Sequence, residues 1–108
     1  MIPIYRAKER ANILIKVLDV MKDSKRVDAD DGAIFAFETS TYDGSKAVVS
    51  LVNGYDDFEF SIEGKQAYHL YEEIHDYAGL SSCRIIEHNG EDDEYDATRI
   101  VFSVTMYR

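Results

Sequence analysis

The sequence predicts one α+β domain over residues 1–108, of order αβββαββ, with a mainly antiparallel five-stranded sheet and two helices packed on one face. Three observations lead to this fold class. Two segments repeat apolar residues at spacings of three and four, as amphipathic helices do. Five shorter segments are rich in β-branched and aromatic residues or alternate apolar with polar side chains. A chain of 108 residues is also the usual size of one domain.

The first helix is predicted over residues 5–23. Its apolar positions recur every three or four residues, and charged or amide side chains mark the opposite stripe. The inner face comprises Ala7, Ala11, Leu14, Val17, Leu18 and Met21, widened by Ile13 and Val20. We expect this face to pack on the sheet and the other to contact water.

A polar loop over residues 24–32 is predicted to lead into the sheet. Two apolar runs of strand length follow, at residues 33–37 and 47–52. Between them, Asp43-Gly44 is a pair typical of turns. These segments are expected to form the first two strands of an antiparallel meander.

The third strand follows a strong hairpin signal, Asn53-Gly54. Both residues tolerate the positive φ that the central positions of a two-residue type I′ turn require. The next segment alternates, with Phe58, Phe60 and Ile62 on one side and Asp57, Glu59 and Ser61 on the other. Such alternation is typical of a strand with one buried face and one face in water.

A second helix is predicted over residues 65–78, ended by Gly79. Its inner face comprises Ala67, Leu70, Tyr71, Ile74 and Ala78. Residues 83–88 and 95–107 are then expected to form a hairpin of two strands. With both helices on one face, the other face of the sheet should be open. That open face is expected to include Asp57, Glu59, Arg99, Ser103, Thr105 and Tyr107.

The first five predicted elements, αβββα, resemble the double-stranded-RNA-binding domain in their order. That family meets phosphates with a basic second helix, whereas the second helix here carries Glu72, Glu73 and Asp76. The resemblance is therefore one of element order, and RNA binding is not expected.

Charge is distributed unevenly along the chain. The net charge is −9, but residues 1–26 carry seven basic and three acidic side chains, and residues 27–108 carry 5 basic and 18 acidic ones. Such a protein would repel duplex nucleic acid as a whole, so direct nucleic-acid binding is not expected. The single cysteine, Cys83, suits a reducing compartment, and no signal peptide or membrane-spanning run is recognised. A cytoplasmic location is expected.

No motif for catalysis, cofactor or metal is recognised, so an enzyme is not expected. Helix two carries His69, Glu72, Glu73 and His75, but a bundle metal site needs further ligands from another helix, and helix one has no histidine. Residues 28–32 resemble the start of a calcium loop in the wrong register. Cys83 has no recognisable base beside it, and no phosphate-binding glycine pattern occurs.

The most distinctive feature is an acidic loop that contains Glu91, Asp92, Asp93, Glu94 and Asp96. Tyrosine also precedes aspartate in three places predicted to be loops or edges, and tyrosine is enriched at protein interfaces. Carboxylates beside such rings can pair with Arg and Lys of a partner. The residues predicted to bind a partner are Glu91, Asp92, Asp93, Glu94, Tyr95, Asp96, Tyr42, Asp43, Tyr55, Asp56, Asp57 and Glu59.

These features favour a small acidic inhibitor that blocks a basic nucleic-acid-binding surface of a nuclease or similar enzyme. In general type it resembles phage-encoded anti-CRISPR and anti-restriction proteins, some of which imitate nucleic acid. Two alternatives stay open: an immunity protein or antitoxin that neutralises a cognate toxin, and an assembly subunit that associates through its open sheet face. No cofactor or membrane contact is expected, and either a monomer or a homodimer agrees with the sequence.

Overall fold

A computed structural model of the chain describes residues 4–21, 24–29, 32–41, 43–53, 58–77 and 81–106, with the backbone alone for residues 4–10, 81–82 and 106. In chain order, the elements are α1 (Ile4–Val20), β1 (Lys25–Val27), β2 (Phe35–Ser40), β3 (Lys46–Asn53), β4 (Phe58–Gly64), α2 (Ala67–Tyr77), β5 (Ser81–His88), the short 3₁₀ helix η1 (Glu94–Asp96) and β6 (Arg99–Met106).

The strands form one sheet of order β1-β2-β3-β4-β6-β5, in which all neighbours are antiparallel. The α+β class, the two helices and the antiparallel sheet are confirmed. The predicted number of five strands is wrong, because the supposed polar loop contains β1, and the order is αββββαββ. Only three residues long and mostly charged, β1 has no hydrophobic period to detect. Its Lys25 Nζ lies 3.5 Å from Glu38 Oε1 on β2, which helps to hold this edge.

The core lies between the helices and one face of the sheet. Alternate residues of β4 and β6 face the helices, and the rings of Phe60 and Phe102 stack at 5.4 Å between centroids. Tyr71 of α2 meets Phe102 edge-on, also at 5.4 Å. Both helices contribute buried residues to this one cluster, including Val17 and Ile74, so they cover the same face.

Most of the predicted inner face of α1 is confirmed, because Val17 and Met21 are buried and Leu14 and Leu18 pack against the core, but the edge of this face is shifted. Ala11 is exposed, whereas Ile13 is buried with Val17 and Met21. The segment around Ile13 is apolar on nearly every side, so the choice of face is made by packing against the sheet rather than by the local pattern. The predicted inner residue Ala7 lies outside the side chains described.

Two turn predictions had different outcomes. The turn at Asp43-Gly44 is confirmed, and Gly44 has a φ of 82°. The two-residue turn centred on Asn53-Gly54 is wrong, because Asn53 lies within β3 and pairs with Glu59. The connection is therefore longer, and its residues 54–57 lie outside those described.

The β5–β6 hairpin is confirmed, with an irregularity between Ile85 and Glu87. The second strand of the hairpin begins at Arg99 rather than at residue 95, because η1 occupies the start of the predicted strand. Ala97, just after η1, is completely buried and anchors the end of the loop in the core.

The open face of the sheet is largely as expected. The register places Glu59, Arg99, Ser103 and Thr105 on the side away from the helices. Asp57 and Tyr107 were also assigned to this face, but they lie outside the described residues. By the same register, the open face carries four carboxylates and four cationic side chains: Glu38, Glu59, Glu63 and Glu87 with Lys25, Lys46, Arg84 and Arg99.

Candidate functional site

The acidic loop, residues 89–98, is closed at its base by one side chain. Asn89 Oδ1 accepts hydrogen bonds from the backbone N–H groups of Thr98 at 2.9 Å and Arg99 at 3.0 Å. Asn89 Nδ2 donates to Thr98 Oγ1 at 3.1 Å. Three hydrogen bonds from one amide thus hold together the two ends of a loop that the sequence suggested was only a hairpin tip.

The loop passes close to its own backbone at Gly90. Its backbone N–H donates to His88 Nδ1 at 3.1 Å. A Cβ atom at this position would overlap the backbone carbonyl oxygen of Asp93. The absence of a side chain therefore allows the chain to pass this close to its own backbone.

The five carboxylates of the loop do not have the same role. Asp93 Oδ1 accepts the backbone N–H of Tyr95 at 2.9 Å and caps η1. Glu91, Asp92 and Asp96 are exposed, and Glu94 is half-buried. Asp93 therefore shapes the loop, while the other four present their charge at its surface.

Tyr95 joins the loop to helix α2. Its ring lies edge-on to Tyr68 of α2, with 4.4 Å between centroids and 65° between planes, and 64% of Tyr95 stays exposed. Burial, the contact with Tyr95 and the negative charges of Glu72 and Glu94 raise the pKa of Tyr68 to about 12. A carboxylate of the helix and a carboxylate of the loop therefore both raise the pKa of the Tyr68 phenol.

A groove of about 370 Å³ lies between α2 and the edge strand β5. We call it the acidic groove, and it is lined by Tyr68, Tyr71, Glu72, His75, Asp76, Arg84, Ile85 and Glu94. Two rings and one aliphatic side chain, those of Tyr68, Tyr71 and Ile85, supply its apolar part. Glu72 and Asp76 of the helix and Glu94 of the loop supply carboxylates.

Carboxylates outnumber cations around the acidic groove, where Arg84 of β5 is the one lysine or arginine in the lining. Helix α2 and the loop together hold eight carboxylates and no lysine or arginine. The ion-pair contacts of these carboxylates, among the residues described, are with histidine: His69 Nδ1 with Glu72 Oε1 at 3.8 Å and His75 Nδ1 with Asp76 Oδ1 at 3.4 Å. A cationic group of a partner would therefore meet carboxylates that no described lysine or arginine already pairs.

The predicted partner-binding residues are only partly brought together. Glu94 lines the acidic groove and Tyr95 packs beside it, whereas Glu72 and Asp76 were absent from the predicted set. Their helix was considered as a possible metal site and as a possible RNA-binding helix. The signal that could have revealed them was the shared lack of lysine and arginine in α2 and the loop.

Asp43 has a different role from the one predicted. Its Oδ1 accepts hydrogen bonds from Ser45 Oγ at 2.6 Å, Thr41 Oγ1 at 2.7 Å and the Ser45 backbone N–H at 2.9 Å. These bonds, led by that from the Ser45 hydroxyl, hold the pKa of the carboxyl well below its usual range. Asp43 is thus engaged in forming the β2–β3 turn.

The other predicted positions lie away from the acidic groove or outside the description. Glu59 is half-buried on the open face, in a separate hollow with Ser61 and Arg99. Tyr42, Tyr55, Asp56 and Asp57 lie outside the described residues.

Cys83 is buried on the helix-facing side of β5. Burial raises the pKa of its thiol to about 11, so the thiol is protonated near neutral pH. The hydroxyl of Tyr71 donates to the Cys83 carbonyl oxygen at 3.1 Å. This part of the site is structural, because a protonated, buried thiol is a poor nucleophile.

Two kinds of feature are absent from the described residues. In those parts of the chain, no group of three or more His, Cys, Asp or Glu side chains is placed to hold a metal ion. Neither helix, as far as it is described, is long and apolar enough to cross a membrane. Comparison of the chain with known protein families, curated proteins and solved structures gave no match.

Proposed function

We propose that this protein is a small acidic inhibitor that covers a basic nucleic-acid-binding surface of a nuclease or similar enzyme, in the manner of anti-CRISPR and anti-restriction proteins. One observation carries the proposal. Carboxylates of α2 and of the acidic loop lie on one surface around Tyr68 and Tyr95, without a lysine or arginine in either segment.

The ordered backbone beneath this surface supports a role in binding. Glu72 and Asp76 are held on a helix, and the loop is fixed by the Asn89 hydrogen bonds and the Asp93 cap. A backbone that is already ordered loses little freedom when a partner binds, so less of the binding free energy is lost to ordering. In this respect the carboxylates are suited to take the place of backbone phosphates in a basic groove.

The chemistry of the surface supports a basic partner. A field of one sign accelerates the encounter with a surface of opposite sign. The exposed ring of Tyr95 adds an aromatic group among the carboxylates, and aromatic residues are common among those that dominate binding energy. The proposed activity is therefore binding and steric exclusion of nucleic acid, without catalysis by this chain.

The proposal is tested by adding the protein to purified RNA-guided nucleases and restriction endonucleases and measuring DNA cleavage. We expect inhibition of a susceptible enzyme when the protein is added before DNA and less when DNA is already bound. Inhibition should weaken with salt, since the Debye length shrinks from about 10 Å at 0.1 M to about 3 Å at 1 M.

Two matched variants distinguish the effect of the groove carboxylates from the effect of the protein's net charge. The variant Glu72→Gln/Asp76→Asn/Glu94→Gln should lose inhibition, whereas Asp28→Asn/Glu59→Gln/Glu63→Gln, which removes the same number of charges elsewhere, should keep it. Equal inhibition by both variants would contradict the assignment to the groove. Inhibition lost only in the second variant would move the contact to the open face.

A further inference from the structure

The strand β5 forms one edge of the sheet, and its outer side has no partner among the described strands. It is eight residues long, so it presents a row of backbone donors and acceptors to solvent. The opposite edge, β1, is three residues long and exposes Lys25 and Arg26, features that discourage pairing. The two edges are thus unequal, and β5 is the one suited to accept another strand.

The acidic groove runs beside this edge. Ile85 of β5 lines it, and the register places Ile85 and Cys83 on the helix-facing side of the sheet. Ile86, at the irregularity that follows, is 46% exposed. Backbone groups open to pairing, an exposed aliphatic side chain and a charged groove therefore occur together.

We infer that the β5 edge accepts an extended segment of the partner as a seventh strand, whose Lys or Arg side chains, at every second position, enter the acidic groove. This inference rests on the proposed function and names the way in which the basic partner is held. Main-chain hydrogen bonds would supply affinity, and the groove would supply specificity, as in other cases of strand addition.

The charge of the groove selects the occupant. Successive side chains on one side of a strand are roughly 7 Å apart. A basic segment with this alternation brings one cation after another past Glu72, Asp76 and Glu94. A guanidinium would also meet the ring of Tyr68, an arrangement that favours Arg.

Arg84 is the one lysine or arginine in the lining, and three carboxylates, those of Glu72, Asp76 and Glu94, line the groove with it. The groove therefore carries a net negative charge that favours a cationic occupant. A second copy of this chain is a poorer occupant, because the helix-facing residues of its own β5 include Cys83 and Ile85 and bring no cation to the groove. Each copy also carries a net charge of −9.

The test uses the full chain and a synthetic peptide of about ten residues in which Arg and Val alternate. Two further peptides carry N-methyl groups on the Arg residues or on the Val residues. In a strand, alternate N–H groups point to opposite edges, so only one of these peptides should lose its bonds to β5. We expect that peptide to bind about tenfold more weakly or worse, and the other to bind like the parent.

Amide hydrogen exchange supplies the second readout, because amides of residues 81–85 should exchange more slowly when the parent peptide is bound. Equal binding of both methylated peptides, or unchanged exchange in β5, would overturn strand addition. A dimer that protects the same amides without peptide would overturn it in favour of a second copy.

The same peptide separates this inference from the proposed function. If Glu72→Gln/Asp76→Asn/Glu94→Gln loses the peptide but methylation has no effect, the acidic groove binds basic partners and strand addition is wrong. If that variant binds the peptide as well as the wild type does, the electrostatic basis of both proposals is wrong. A peptide with Glu in place of Arg is the control and should not bind.

Discussion

The open sheet face and the acidic groove both carry several carboxylates, but their charges are arranged differently. On the open face, Glu38 lies 3.5 Å from Lys25 and from Lys46, and Arg99 lies between Glu63 at 3.8 Å and Glu87 at 3.4 Å. Around the groove, the described ion-pair partners are histidines. Charges that already have partners within the fold would have to exchange them on binding, whereas the groove carboxylates can accept a partner's cations directly. The placement of counter-charges, more than the number of carboxylates, therefore distinguishes the two surfaces.

Charge reversal at one position should give the largest difference between the two surfaces. We expect Glu94→Lys to weaken binding to a basic partner by about a hundredfold or more, because like charges facing each other across an interface cost several kcal/mol. Glu59→Lys on the open face is the matched control and should change affinity much less. Calorimetric titration of each variant measures the effect, and equal losses would remove the distinction.

Tyr95 should be the next most sensitive position. Removal of an exposed aromatic residue at the centre of a contact typically costs about 2 kcal/mol or more, or a factor near thirty in affinity. We therefore expect this loss for Tyr95→Ala, while Tyr95→Phe, which keeps the ring against Tyr68, should bind nearly as well as the wild type. If Tyr95→Ala binds normally, the ring serves only to hold the loop.

Loss of the Asn89 side chain tests whether the groove depends on an ordered loop. Asn89→Ala removes three hydrogen bonds and should lower the free energy of unfolding by about 1–2 kcal/mol. Affinity should also fall although no charge is altered, because Glu94 and Tyr95 lose their fixed positions. Asn12→Ala, on the exposed face of α1, is the control. Denaturant unfolding and binding are measured on the same samples.

Tyr71 lines the groove and also packs in the core. Among the described residues, the open face has no corresponding contact with the core. Tyr71→Phe should lower the free energy of unfolding by about 1 kcal/mol, because the Cys83 carbonyl loses its hydroxyl donor. Burial raises the pKa of Tyr71, like that of Tyr68, to about 12, from 10.0. Each phenol therefore stabilises the fold fully below pH 10, and this stabilisation is lost as the pH rises to 12.

Absorbance near the tyrosinate band and unfolding measured across this alkaline range test the pH dependence. Stability that stays constant up to pH 12 would contradict the burial of these phenols.

The smallest expected effect is a difference in the sign of the change in the free energy of unfolding. Asp92 is exposed among like charges, so Asp92→Asn should leave the free energy of unfolding unchanged or raise it, by no more than about 0.5 kcal/mol. Glu38 lies between two lysines, so Glu38→Gln should lower it by a similar amount. Thermal unfolding at low salt resolves the difference, which should vanish at high salt. The same sign for both variants would show that local pairing does not separate the two surfaces.

Most of the fold could be predicted because it depends on local periodicity. The alternation of Phe58, Phe60 and Ile62 and the spacing in α2 each report which side of an element is buried. The strand β1 was missed because three residues are too few to show a period. The prediction of a two-residue turn at Asn53 was wrong because the register of β3 and β4 is set by pairing along the whole length of the strands.

The candidate site could be predicted only in part, for the same physical reason. The loop around Glu94 and Tyr95 was recognised from its composition. Its junction with Glu72 and Asp76 depends on the register of the β5–β6 hairpin and on the packing of Tyr95 against Tyr68, which are contacts between segments distant in sequence. Asp43 is the opposite case, because this carboxylate beside a tyrosine accepts hydrogen bonds within its own turn.

The close approach at Gly90 has a consequence for how this loop can vary. In a scan of all substitutions, position 90 should tolerate no other residue, because even alanine would overlap the Asp93 carbonyl. The neighbouring exposed positions, Glu91 and Asp92, should accept many polar residues without loss of folded protein. The loop can therefore change its charge pattern freely while its path stays constant, so a library built on residues 91 and 92 would alter partner preference and keep the scaffold.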